Sequence, residues 1–336
     1  MIKKIVKRLL FTAICCGLFL GIALWFVYQL DFSSGQKPVW GVTFSPSYAQ
    51  QLNLDWHQTY LAILDELKVK NLRLAAYWDQ IESQKNNYDF SALDWQIDQA
   101  GKRQAEVILV VGRRLPRWPE CHDPSWLGQV SVAETEEKLL AVIKTTVERY
   151  RKNPAIKYWQ VENEPLLRWF GNCPPPDGEL LQQEVDLVRR LDSTRPIIVS
   201  DSGELSTWQS AANYPDILGV TLYRVVWNNY TGWFKYWFLP PAFYNFKVEL
   251  TKRWHKNLND VIVTELQMEP WSFNKSMTQL SLAEQQQSFD LQRFYANLDF
   301  TTKAGFNTAY LWGVEYWYWL KEQGHSEIWQ AAKLLW

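Results

Sequence analysis

Two glutamates about a hundred positions apart carry the chemistry this sequence suggests. Glu164 ends the run Tyr158-Trp159-Gln160-Val161-Glu162-Asn163-Glu164-Pro165, an apolar strand that meets a forced stop, since proline cannot donate to a strand ladder. Glu265 follows a second apolar run, Val261-Ile262-Val263-Thr264, and closes it directly. Acids at the carboxyl ends of strands sit where α/β sheets and barrels keep their reactive groups. Two carboxyl groups roughly 5 to 5.5 Å apart break a glycosidic bond with retention: one protonates the leaving oxygen and the other attacks the anomeric carbon. Asn163 puts an amide beside Glu164 to hold a sugar hydroxyl, which makes Glu164 the acid/base and Glu265 the nucleophile. The nucleophile must stay ionised. Arg73 and Tyr223, on two further strands, are placed to supply the cation and the hydroxyl donor that keep it so.

The elements that must position these side chains alternate along the chain. Strands are predicted at 39–44, 71–78, 106–112, 158–161, 196–200, 217–223, 261–265 and 308–312. The apolar run at 106–112 is of the kind expected when both faces of a sheet are covered. Helices are predicted at 56–68, at 91–100 capped by Ser91, from the capping box Ser131/Glu134 to Tyr150, and at 178–191. A second capping box, Ser281/Glu284, opens a helix running to about Lys303 with Gly305 as its stop, and a last helix starts at Ser326. Eight strand–helix units over residues 38–336 predict a (β/α)8 TIM barrel.

The amino terminus differs from all that follows. Lys3, Lys4, Lys7 and Arg8 precede an uncharged stretch from Leu9 to Leu30, about 22 positions, long enough to cross a bilayer as a helix. Asp31 follows. This asymmetry predicts a transmembrane signal-anchor at 1–30 with a cytoplasmic amino end, a polar linker at 31–37, and a barrel on the extracytoplasmic side. The rival reading is a cleaved signal peptide, whose apolar region is normally shorter and ends at a small-residue cleavage site.

The set Arg73, Asn163-Glu164-Pro165, Tyr223, Glu265 and Trp312 resembles the clan A glycoside hydrolases, the retaining barrels that include cellulases, β-galactosidases and β-xylosidases. The run from Trp78 through Ile81-Glu82 to Tyr88-Asp89-Phe90-Ser91 and Leu93-Asp94 is similar to the segment after strand two in the β-galactosidase and β-xylosidase branches. The resemblance implies that Glu164 is the acid/base and Glu265 the nucleophile. It further implies that Arg73 and Tyr223 contact Glu265 and that Trp312 floors the sugar site. Trp78 and Trp271, the latter in the cluster 270–273 behind Glu265, join the expected substrate contacts, with Glu315 as a further one. The chain departs from the cellulase pattern at Thr221, where a histidine is usual, and at Arg113-Arg114, where a histidine follows strand three. These arginines either bind an acidic or highly hydroxylated sugar or pair with a loop acid. Glu162 either sits buried against a basic partner or tunes Glu164.

Composition narrows the partners. With 336 residues, a formal net charge of -1 and 21% charged residues, nothing suggests nucleic acid. Twenty tryptophans within 15% aromatics suit a core and also sugar faces. The aromatic-rich segment between Tyr223 and Val261 reads as a loop that builds sugar subsites or rests on the bilayer. Cys121 and Cys173 fall in neighbouring loops after strands three and four, and outside a membrane they are expected to form a disulfide, the alternative being two free thiols. His57, His122, His255 and His325 lack ligand spacing, so neither a metal nor a cofactor is expected. The leading expectation is a membrane-anchored retaining glycosidase acting on an oligo- or polysaccharide with β linkages. A transglycosylase using the same acids and a non-catalytic carbohydrate-binding barrel are the alternatives.

Overall fold

The computed structural model describes residues 2–272 and 275–336; Met1, and Phe273 of the aromatic cluster behind Glu265, lie outside them. Eight parallel strands close into a barrel: β1 (Val39–Phe44), β2 (Asn71–Ala75), β3 (Glu106–Val111), β4 (Ile156–Val161), β5 (Ile197–Asp201), β6 (Ile217–Leu222), β7 (Asp260–Gln267) and β8 (Thr308–Trp312). They follow chain order round the ring, and β1 pairs with both β2 and β8 to seal it. Alternation divides the side chains between two cores. Ile108, Ile198, Ile217, Ile262 and Tyr310 fill the inside of the barrel. Their strand neighbours, such as Val107, Leu109, Ile197, Val199 and Val263, join the larger core between strands and helices.

Several boundaries differ from the expected ones. β2 stops at Ala75, and Trp78–Ile81 is a turn of helix. β7 runs two residues past Glu265, to Gln267. It also carries an irregularity there: Val263 stands opposite Val220, yet Glu265 stands opposite Thr221, so Thr264 is the extra residue. A bulge of this kind re-aims the side chains that follow it. The Ser281/Glu284 capping box caps only the short helix Leu282–Gln285. The long helix Leu291–Lys303 has its own cap, Asp290, whose carboxylate accepts from the Arg293 amide at 2.8 Å. The segment after Tyr223 is not all loop, because 225–228 and 232–235 pair as an antiparallel hairpin.

The amino-terminal helix, Ile2–Gln29, contains the stretch Lys7–Gln29, which is long and apolar enough to cross a membrane, with a mean hydropathy of 2.4 over its most apolar window and none of that window buried. The residues after it do not hang free. The Phe32 amide donates to the Lys303 carbonyl at 2.9 Å, and the Ser34 hydroxyl donates to Asn307 at 3.0 Å.

Candidate active site

At the carboxyl mouth of the barrel one side chain ties three strands together. Arg73, on β2, is fully buried. Its Nε donates to Gln160 of β4 at 2.8 Å, and Nη2 donates to Asn163, just past β4, at 2.7 Å. Nη1 donates to Glu265 Oε1 on β7 at 2.9 Å and to the Thr264 carbonyl at 3.4 Å. The other oxygen of Glu265 accepts from the Tyr223 hydroxyl, at the end of β6, at 3.0 Å. Glu265 therefore accepts from a buried guanidinium with one oxygen and from a hydroxyl with the other. Burial, and next the Glu265 charge, push the Tyr223 hydroxyl well above its ordinary range, so it stays a donor.

Glu164 receives the opposite treatment. It is buried, its amide donates to Ser200 Oγ of β5 at 2.9 Å, and its Oε1 accepts from the Thr221 hydroxyl of β6 at 3.2 Å. Burial first, then the negative charge of Glu265, hold its carboxyl well above the usual carboxylate range. Asn163 beside it is locked: Oδ1 accepts from Arg73 and from Ser200 Oγ at 3.0 Å, while Nδ2 donates to Glu120 at 3.2 Å. Glu120 is a third buried carboxyl at the site, pushed up to about 8 by burial and by the charge of Glu265.

The loops after β3 and β4 build this wall together. Cys121 and Cys173 are bonded, with their Cα atoms 5.3 Å apart. Arg114 donates to the carbonyls of Leu167 and Phe170 at 2.6 and 2.7 Å, so it braces the second loop from the first. Arg113 pairs with Asp123, its Nε 2.7 Å from Oδ1. Of the two readings for these arginines, pairing with a loop acid describes Arg113, and Arg114 is a backbone brace. Glu162 is buried and accepts from the Arg113 and Arg114 amides, both at 2.6 Å. Gly112 precedes them with φ +131, and a Cβ there would come within 2.2 Å of Glu162 Oε1. Glu184 lies against Glu162. Burial and the charge of Glu162 raise its carboxyl well above the ordinary value, and Glu162 itself is raised by burial to about 7.

The floor of the mouth departs further from expectation. Trp312, at the end of β8, carries the Arg117 guanidinium 4.1 Å from its ring centroid, and the Tyr48 ring lies 3.6 Å from the same cation. Arg117 is paired with Glu269 and, at 3.1 Å, with Glu315. Glu269 thus belongs to a different ion cluster from Glu265, four residues earlier. Gly313 makes room for it, at φ +117, since a Cβ there would approach the Glu269 Cβ to 2.5 Å. Glu315 is wholly buried and accepts from the Ser45 amide at 2.6 Å, which corrects its expected role as a substrate contact. Trp78 needs the same correction: it is fully buried in the outer core and donates to Glu82 at 2.8 Å, so no ring face is open to a ligand. Trp271 is half-buried and packs edge-on against Tyr223 at 5.5 Å. From Trp271 the rings continue outward through Phe170 at 6.1 Å to Trp118 at 5.9 Å, an aromatic rail from the rim to the Glu265 partner.

Glu120, Arg117, Trp118 and Phe170 were not singled out from the sequence. All lie in irregular loops, where neither strand nor helix period selects a face. The one available signal was their position beside Cys121 and Cys173.

Comparison with known proteins gives this geometry a context. The sequence matches the family described as Cellulase (glycosyl hydrolase family 5) over residues 36–267. A curated relative, the beta-galactosidase BgaA of Clostridium cellulovorans, is 25% identical in an alignment covering 44% of this chain and 25% of that protein. Among solved structures, the GH5_18 protein of Bifidobacterium longum subsp. longum superposes with a TM-score of 0.57 at 14% identity, covering 82% of this chain and 70% of that one. The beta-galactosidase of the haloarchaeon Halorubrum lacusprofundi gives 0.52 at 13% identity, covering 81% and 52%. Xylanase 10B of Thermotoga petrophila gives 0.51 at 16%, covering 82% of each. At such identities the structural likeness speaks for the fold alone. The chain spans a quarter of the curated relative and about half of the haloarchaeal enzyme.

Proposed function

The chain belongs to the cellulase family, glycosyl hydrolase family 5, and on that premise we propose that it is a membrane-anchored retaining glycosidase that cleaves β-linked glycans by double displacement between Glu164 and Glu265. The observation that carries this reading is the unequal treatment of the two acids. Arg73 and Tyr223 both donate to Glu265, while burial and the Glu265 charge hold the Glu164 carboxyl well above the usual carboxylate range. One is prepared as a nucleophile and the other as an acid.

The reaction follows from that asymmetry. A Glu265 oxygen attacks the anomeric carbon as the bond to the leaving oxygen breaks, and Glu164 gives its proton to that oxygen. The glycosyl ester that results carries no charge on Glu265. The Coulomb push that raised the Glu164 carboxyl is then gone, so Glu164, having given up its proton, stands as a carboxylate and takes a proton from the incoming water. Water attacks the anomeric carbon, and Glu265 leaves as a carboxylate that Arg73 and Tyr223 stabilise.

For the anchor, the supporting observations are the apolar helix Lys7–Gln29, the basic residues before it and Asp31 after it. The Cys121–Cys173 bond fits an oxidising, extracytoplasmic setting.

A 2-deoxy-2-fluoro glycoside with a good leaving group tests the assignment, because it forms the ester and hydrolyses slowly. Mass analysis of the digested protein is expected to find the sugar on the peptide holding Glu265, and none on Glu265→Gln. A label on Glu120 or Glu269 instead would overturn it.

A further inference from the structure

The last turn of the apolar helix is fixed to the barrel at one place. The Tyr28 hydroxyl donates to the Trp237 carbonyl, accepts from Arg224 Nη2 at 3.4 Å, and its ring packs against the outer core. Arg224 in turn donates to the carbonyls of Tyr236 at 2.8 Å and Leu239 at 3.2 Å, with its guanidinium 4.0 Å from the Phe300 ring. The level at which the apolar stretch ends is therefore set by the segment Arg224–Leu239.

Next to that contact the barrel surface turns aromatic. Trp237 is 67% exposed and Phe238 is 42% exposed. The next helix, Pro241–Trp254, which lies beside the amino-terminal helix, adds Phe246 and Trp254 at 64% each. Lys235 and Arg253, both exposed, accompany them. The rings near the mouth are different ones, Trp118, Phe170 and Trp271, so Trp237 and Phe238 are not needed to explain that rail. Large aromatic side chains with cations beside them, continuous with an apolar helix of spanning length, have the composition of a membrane–water interface.

We propose that Trp237 and Phe238 form a platform that rests in the headgroup layer of a lipid bilayer, a second membrane contact that fixes how the barrel stands on its anchor. This rests on the anchor reading above. Arg224 is the residue after Tyr223, the partner of Glu265, and it donates to the Tyr236 and Leu239 carbonyls on either side of Trp237 and Phe238, so the platform is braced from the mouth. The barrel then meets glycans close to the bilayer surface.

The test uses the full chain in phosphatidylcholine vesicles containing a phosphatidylcholine with a photoreactive group near its acyl carbonyls. After illumination, lipid adducts are mapped by mass spectrometry. Adducts on the peptide holding Trp237 and Phe238, together with adducts on residues 9–30, are the expected result. Trp237→Ser/Phe238→Ser is expected to give roughly tenfold less label on the platform, with the helix label unchanged. Label on the helix with none on the platform overturns the proposal and leaves the anchor standing. No label on either overturns both. Unchanged platform label in the double variant also overturns it.

Discussion

Asn163 donates through Nδ2 to the carboxyl of Glu120 at 3.2 Å, so the residue preceding Glu164 is held by an acid from another loop. Glu120 is itself pushed up to about 8, by burial and by the charge of Glu265, and its own charge raises Glu164 in turn. Glu120→Gln removes that charge while keeping an amide near Asn163. The Glu164 carboxyl then ionises more easily, and the basic limb of the kcat/KM profile is expected to move to lower pH by up to roughly one unit. An unmoved limb would show that Glu120 does not act on the acid.

If Glu164 supplies the proton, its loss must depend on the leaving group. Glu164→Gln is expected to lower kcat/KM by roughly 10²- to 10⁴-fold on alkyl or sugar leaving groups, and far less on a dinitrophenyl glycoside. Equal losses on both substrates would sink the role.

The sequence made the barrel legible because its strands rest on period, and the ends of those strands drew attention to Glu164 and Glu265. Alternating or continuous apolar runs marked all eight strands, and a proline or a polar residue marked where each side chain meets the mouth. It misjudged Trp78 because an aromatic after a strand reads the same whether it faces a ligand or a helix, and here it faces the outer core. It took Glu265 as the end of its strand because the bulge at Thr264 leaves no trace in residue type. The Arg117 cluster was illegible for another reason: Tyr48, Arg117, Glu269 and Trp312 meet only after a helix, two loops and a strand end from four places in the chain converge.

Glu162 and Glu184 give the fold a pH dependence of its own. The Glu162 carboxyl is raised from 4.5 to about 7 in the folded protein. A raised carboxyl contributes stability in full below its unfolded value, and that contribution is lost as pH rises through the folded value. Thermal stability is therefore expected to fall between about pH 4.5 and 7 for this pair. Glu184→Gln, which offers Glu162 an amide donor instead of a competing acid, is expected to flatten that fall and melt higher at pH 8. Equal melting of the two proteins at every pH would rule the pair out as the cause.

The Cys121–Cys173 bond closes a span of 52 residues, for which loop entropy predicts roughly 4 kcal/mol of stabilisation. Cys121→Ser/Cys173→Ser is expected to lower the denaturation midpoint accordingly. Because the bond joins the loops bearing Trp118 and Phe170, KM for oligosaccharides is expected to rise more than KM for aryl glycosides. A variant with native stability and native KM would contradict both effects.

The seam of the ring has a consequence for the birth of the molecule. Thr43 of β1 lies opposite Trp312 of β8, so the first and last strands must meet before the ring exists. Synthesis delivers Arg73 and Glu164 early, with Glu265 still far behind. The ring that gathers all three at one mouth cannot close until the final strand docks against the first.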